Sequence, residues 1–75
     1  MPIWTYIVSD MARAATTSDA FNAVAEPQRR RILQLLKGKE RSVNELARAL
    51  RVTQPRVSKH LRVLREVGLV RVRGA

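Results

Sequence analysis

Three features of the sequence predict a small, mainly α domain of about four helices that ends in an incomplete β element. Apolar residues recur at three- and four-residue intervals from Phe21 to Leu64, the period of helices that each bury one face. Pro27, Gly38 and Gly68 punctuate this pattern as one helix start and two helix stops. Val70 and Val72 then alternate with Leu69, Arg71 and Arg73, the two-residue period of a strand.

Residues 1–17 are expected to be a poorly ordered lead and residues 18–75 the folded domain. Within the lead, Trp4, Tyr6 and Val8 alternate with Ile3, Thr5 and Ile7, a pattern that also suits a short strand or an arm packed on a partner. Met11 opens MARAATTSDAF, itself a plausible protein start. On that reading the residues before it have no structural job.

Ser18 or Asp19 can cap a first helix through Ala25, with Phe21, Val24 and Ala25 at helical spacing. Proline suits a first helical turn and restricts the residue before it, so Glu26 and Pro27 mark the junction to a second helix. That helix is expected to run to about Lys37 on an apolar face of Ile32, Leu33, Leu35 and Leu36. Arg29, Arg30 and Arg31 crowd its first half, either as a solvated face or as a grip on backbone phosphate.

The third helix, Ser42 to Leu50, is announced by a capping box. Ser42 and Glu45 are spaced to satisfy two otherwise unpaired backbone donors, ahead of a core stripe of Val43, Leu46, Ala47 and Leu50. Only Arg51, Val52 and Thr53 separate it from a fourth helix. Thr53 serves as N-cap there, and Pro55 in the first turn forfeits no intrahelical hydrogen bond. Val57, Leu61 and Leu64 form a narrow apolar stripe and leave Gln54, Arg56, Ser58, Lys59, Arg62 and Arg65 on a polar arc. Residues 42–67 thus make two short helices joined by a tight turn, the second polar and basic, which is a helix-turn-helix. Residues 69–73 follow as one strand, and no second strand is expected.

Charge narrows the partner. The formal charge is +9, and from Gln28 onward there are fourteen basic residues against Glu40, Glu45 and Glu66. The basic surface therefore belongs to the folded segment, which favours nucleic acid first and an anionic membrane surface second. No cysteine is present, so disulfides, thiolate metal sites and thiol nucleophiles are excluded, and a cytoplasmic protein is expected. No apolar run reaches the roughly 18 residues that a membrane span needs.

Residues Phe21 to Arg73 resemble the arsenic-repressor-like (ArsR) family of winged helix-turn-helix transcriptional regulators. The resemblance rests on FNAVAEPQRRRILQLL, SVNELARAL and VTQPRVSKHLRVLREVGLVRVR. The last string is the specific one, because it combines cap, reading face and core at fixed positions. The resemblance implies a repressor of double-stranded DNA, usually a homodimer on a palindromic operator and tuned by a metal or small-molecule effector, here unknown. It places Gln54, Pro55, Ser58, Lys59 and His60 at or near the major groove, with Gln54 and Ser58 touching bases, and Arg71 and Arg73 in the wing beside phosphate. Thr53, Arg56 and Arg62 complete the expected DNA-binding set.

Three departures from the family pattern shape the expectation. The first helix of the motif reads NELARAL, without the cysteines of soft-metal sensors. Arg51 stands where a glycine is common, at a cost of roughly 1 kcal/mol if the backbone there is left-handed. The family pattern continues into a second wing strand and a C-terminal dimerising helix, so an incomplete wing is expected up to Ala75.

Catalysis has little support. His60 is the single histidine, it follows Lys59, and no carboxylate lies one helical turn away to orient it. No catalytic residue, metal site or cofactor is expected. Two alternatives to a DNA reader remain in the sequence: a basic amphipathic helix on an anionic membrane, and a truncated regulator acting on a homologue through protein contacts.

Overall fold

The structure, a computed structural model, describes residues 4–8 and 18–73. Its elements are β1 (Thr5–Val8), α1 (Ser18–Val24), α2 (Pro27–Leu36), β2 (Arg41–Ser42), α3 (Val43–Leu50), α4 (Gln54–Glu66) and β3 (Val70–Arg73). The helices share one apolar core. Ile32 and Leu36 of α2, Leu46 and Leu50 of α3, and Val57, Leu61 and Leu64 of α4 are all buried there, with Ala20, Ala23, Leu69 and Val70 around them. Removing these side chains from water is the main force that holds the helices together.

Each helix ends where local chemistry stops it. Ser42 Oγ accepts from the Glu45 amide at 3.2 Å, and Glu45 Oε1 accepts from the Ser42 amide at 3.0 Å, completing the expected capping box. The backbone leaves α2 through Gly38 (φ 71°) and α4 through Gly68 (φ 81°), both in the left-handed region that glycine enters without strain. Beyond α4, the Leu69 amide donates to the Leu64 carbonyl at 2.9 Å, satisfying one of the helix's terminal acceptors. The α2 carbonyl of Leu35 accepts from Arg41 Nε at 2.8 Å.

The residues before α1 depart from expectation. Thr5–Val8, expected to be poorly ordered, form the central strand of a three-stranded sheet in the order β2-β1-β3. The pairing is antiparallel throughout: Thr5, Tyr6, Ile7 and Val8 face Arg73, Val72, Arg71 and Val70, while Thr5 and Tyr6 face Ser42 and Arg41. This register sets Tyr6 and Val8, which pack against the core, opposite half-buried Val72 and buried Val70 and leaves Arg71 and Arg73 exposed. The strand β3 therefore has a partner, contrary to the expectation that none exists. That partner lies at the other end of the sequence rather than across a hairpin turn. The expectation that the residues before Met11 lack a structural job does not hold for Thr5–Val8. Residues 1–3 and 9–17 lie outside the described residues.

Two smaller differences follow from packing. The buried face of α1 is Ala20 and Ala23, while Phe21 is 75% exposed. Small alanines let α1 lie close to its neighbours, and Phe21 falls on the opposite side. Leu69 was expected on the same strand face as Arg71 and Arg73 but precedes β3, in the turn after Gly68, and joins Val70 in the core. The result is a small winged helix-turn-helix domain whose sheet is completed by β1.

Candidate nucleic-acid interface

The geometry of α4 begins with the turn before it. The backbone leaves α3 at Arg51, whose φ of 57° and ψ of 42° are left-handed. The Arg51 amide and the Val52 amide fold back onto the Arg48 and Ala47 carbonyls at 3.3 and 3.1 Å. Half-buried Ala47 lies on α3, which packs directly on α4. Thr53 then occupies the N-cap in an extended conformation, but its hydroxyl makes no capping hydrogen bond, unlike the expected cap. Its carbonyl still accepts from the Val57 amide at 3.2 Å, and Pro55 fills the first turn, where the missing N–H is not needed.

Val57, Leu61 and Leu64 seat one side of α4 on the core, which fixes what the other side presents. Thr53, Gln54, Pro55, Arg56, Ser58, Lys59 and Arg62 are all exposed. At about 100° per residue, Gln54, Ser58 and Arg62 sit within about 80° of one another, Lys59 lies about 60° further round, and Arg56 another 60° beyond it. Polar donors and cations thus follow one another around the exposed face of α4. Arg62 is engaged with Glu66 one turn on, Nε to Oε1 at 3.3 Å, in an exposed pair of little energetic weight. Arg71 and Arg73 project from β3, where Arg73 Nη1 lies 3.7 Å from Glu40 Oε2.

His60, which the resemblance places at or near the groove, sits at the edge of the polar arc. It is half-buried on the flank of α4 that faces α2. Its Nε2 lies 3.0 Å from Gln28 Oε1, and its Nδ1 accepts from Arg29 Nε at 3.2 Å. A carboxamide oxygen is only an acceptor and a guanidinium only a donor, so the ring is neutral with its proton on Nε2. Burial holds the His60 pKa below the ordinary histidine value, the nearby Arg29 cation adds to the effect, and Glu26 opposes it.

The arginine cluster of α2 divides by role. Arg29 Nη1 donates to the Ala23 carbonyl at 3.3 Å, and Arg30 Nη1 to the Val24 and Ala25 carbonyls at 3.2 and 3.3 Å. Both therefore cap the carbonyl end of α1. Gln28 was not singled out by the sequence. Its partner His60 lies 32 residues away, and no periodic pattern signals such a pairing. Among the described residues, no helix is long and apolar enough to cross a membrane, and no cluster of three His, Cys, Asp or Glu could hold a metal ion.

Comparison with known proteins bears on this surface. The chain is 32% identical over 53 residues to the transcriptional repressor SdpR of Bacillus subtilis (strain 168), a match covering 71% of this chain and 59% of that protein. It is 36% identical over 66 residues to a transcriptional repressor SmtB homolog of Synechocystis (88% and 50% covered). It is 42% identical over 52 residues to the HTH-type transcriptional repressor SmtB of Mycobacterium tuberculosis (69% and 38% covered). The chain thus spans roughly two fifths to three fifths of the curated relatives it matches. No solved structure matches it with significance. The model of the bacterial regulatory protein, arsR family, matches residues 26–72, a span holding α2, the helix-turn-helix and most of β3, and the chain belongs to that family.

Proposed function

We propose that residues 18–75, with β1 completing their sheet, are the DNA-binding domain of a transcriptional repressor acting in the cytoplasm, with residues 42–67 as its reading unit and 69–73 as its wing strand. The observation that carries the reading is the uncovered polar face of α4, held at a fixed angle by a capped α3 and a tight turn. Such a helix fits the major groove, where amide and hydroxyl side chains read base edges. Gln54 and Ser58 read bases, Thr53, Pro55, Arg56, Lys59 and Arg62 line the contact, and Arg71 and Arg73 meet the backbone. The relatives named as repressors support the direction of regulation. The membrane alternative loses its apolar face, because Val57, Leu61 and Leu64 are buried in the core. As a homodimer, the protein addresses half-sites about 34 to 36 Å apart.

Selection of bound sequences from a random duplex pool tests this reading. Recovery of a preferred sequence is expected, and the spacing of any palindrome reports the oligomeric state. Equal retention of every duplex would reduce binding to counterion release and overturn base reading.

A further inference from the structure

A recess opens between the start of α2 and the flank of α4. It is lined by Glu26, Gln28, Arg29, Arg56, Lys59 and His60. Three cations and a single carboxylate, Glu26, line it. Arg56 and Lys59 make no hydrogen bond or ion pair among the described residues, and both are exposed. Arg29 is different, because two of its nitrogens are engaged. Its Nε is bonded to His60 and its Nη1 to the Ala23 carbonyl, which fixes the guanidinium plane and leaves Nη2 unengaged among the described residues. With one carboxylate against three cations, the lining keeps a net positive charge that favours an anion.

The position of the recess says which anion. A helix in the major groove, about 12 Å wide, has a phosphate backbone on each side. Gln54 and Ser58 lie on one side of the exposed arc, and Arg56 and His60 lie at its opposite edge. When the arc enters the groove, that edge faces one backbone strand. Resting on the DNA-binding reading above, we propose that a phosphodiester of duplex DNA seats in this recess. Arg56, Lys59 and Arg29 hold it, and His60 acts as the positioning residue that keeps Arg29 in place. The sequence singled out Arg56 and Lys59 one by one as members of the reading helix. The recess adds α2 to the interface and gives it a second clamp, separate from the wing.

The test is duplex binding by the full chain across a range of salt concentrations. The double variant Arg56→Gln/Lys59→Gln should lower the slope of log K against log salt by about one unit, the loss of one neutralised phosphate. His60→Leu should lower it in part, by releasing Arg29. His60→Gln, which keeps one acceptor and one donor, should restore it. An unchanged slope in the double variant, with wild type still bound, would overturn the seat while leaving the DNA reading intact. Failure of wild type to bind any duplex would remove the reading and the seat together. Should His60→Leu not fold, the double variant, at two exposed positions, still decides. In a parallel titration with inorganic phosphate, followed at the His60 ring by NMR, tight binding combined with an unchanged DNA slope would identify a free-anion site and overturn the duplex as occupant.

Discussion

Arg51 shows what one residue of the turn costs. Its left-handed backbone (φ 57°, ψ 42°) brings Cβ close to the following carbonyl, a strain that glycine escapes and a β-branched residue aggravates. Arg51→Val should unfold in urea with about 1 to 2 kcal/mol less stability than Arg51→Gly, and equal stabilities would show that the turn relaxes. His60 carries a different signature. Its pKa is held down in the folded state by burial and Arg29, so the unfolded chain binds more protons in the interval below the ordinary histidine value. Stability from this site is complete above that value and is lost as pH falls through the folded pKa. Urea midpoints should therefore drop with acid in wild type and drop less in His60→Gln. Parallel pH profiles would remove His60 as the cause. Its bond to Gln28 was not legible in the sequence, where the family resemblance placed it at or near the major groove.

At the scale of elements, what was local in sequence was legible except at Thr53, whose hydroxyl makes no cap. The capping box of α3, the proline starts of α2 and α4 and the stops at Gly38 and Gly68 all involve residues within one helical turn of the feature they set. Ser42→Ala should accordingly cost about 1 kcal/mol in thermal or chemical unfolding. The Glu45 carboxylate, held below its usual pKa chiefly by the Ser42 amide, adds to that cap only while ionised. What the sequence missed depends on tertiary packing, such as the outward side of Phe21 and the inward turn of Leu69. On the reading helix, Gln54→Ala should lose on the order of 1 to 3 kcal/mol on the selected site and little on random duplex. Equal losses on both would deny Gln54 a base contact. Arg71→Ala in β3 should weaken every duplex and reduce the salt slope by about one unit, and an unchanged slope would take it off the phosphate.

For the whole molecule, the sheet is the feature that local reading could not supply. Tyr6 and Val8 carried a strand pattern, yet their partners Val72 and Val70 lie at the far end of the chain, and only the fold joins them. A chain started at Met11 lacks β1, and β3 then presents an unpaired edge. That shortened chain should lose on the order of 1 kcal/mol or more from the Tyr6–Val72 and Val8–Val70 pairs, and the amides of Val70 to Val72 should exchange quickly with solvent. Undiminished stability and protection would make β1 dispensable.

The placement of β1 also dictates an order of assembly. It leaves the ribosome before all four helices, and the strand it pairs with over its full length follows them. The helices pack over shorter separations in sequence and can set as they emerge, whereas the sheet must wait for a closure that joins Thr5 to Arg73. The reading unit thus matures before the β1–β3 pairing can form, and that pairing acts as a final latch, available only to a chain that has been made to Arg73.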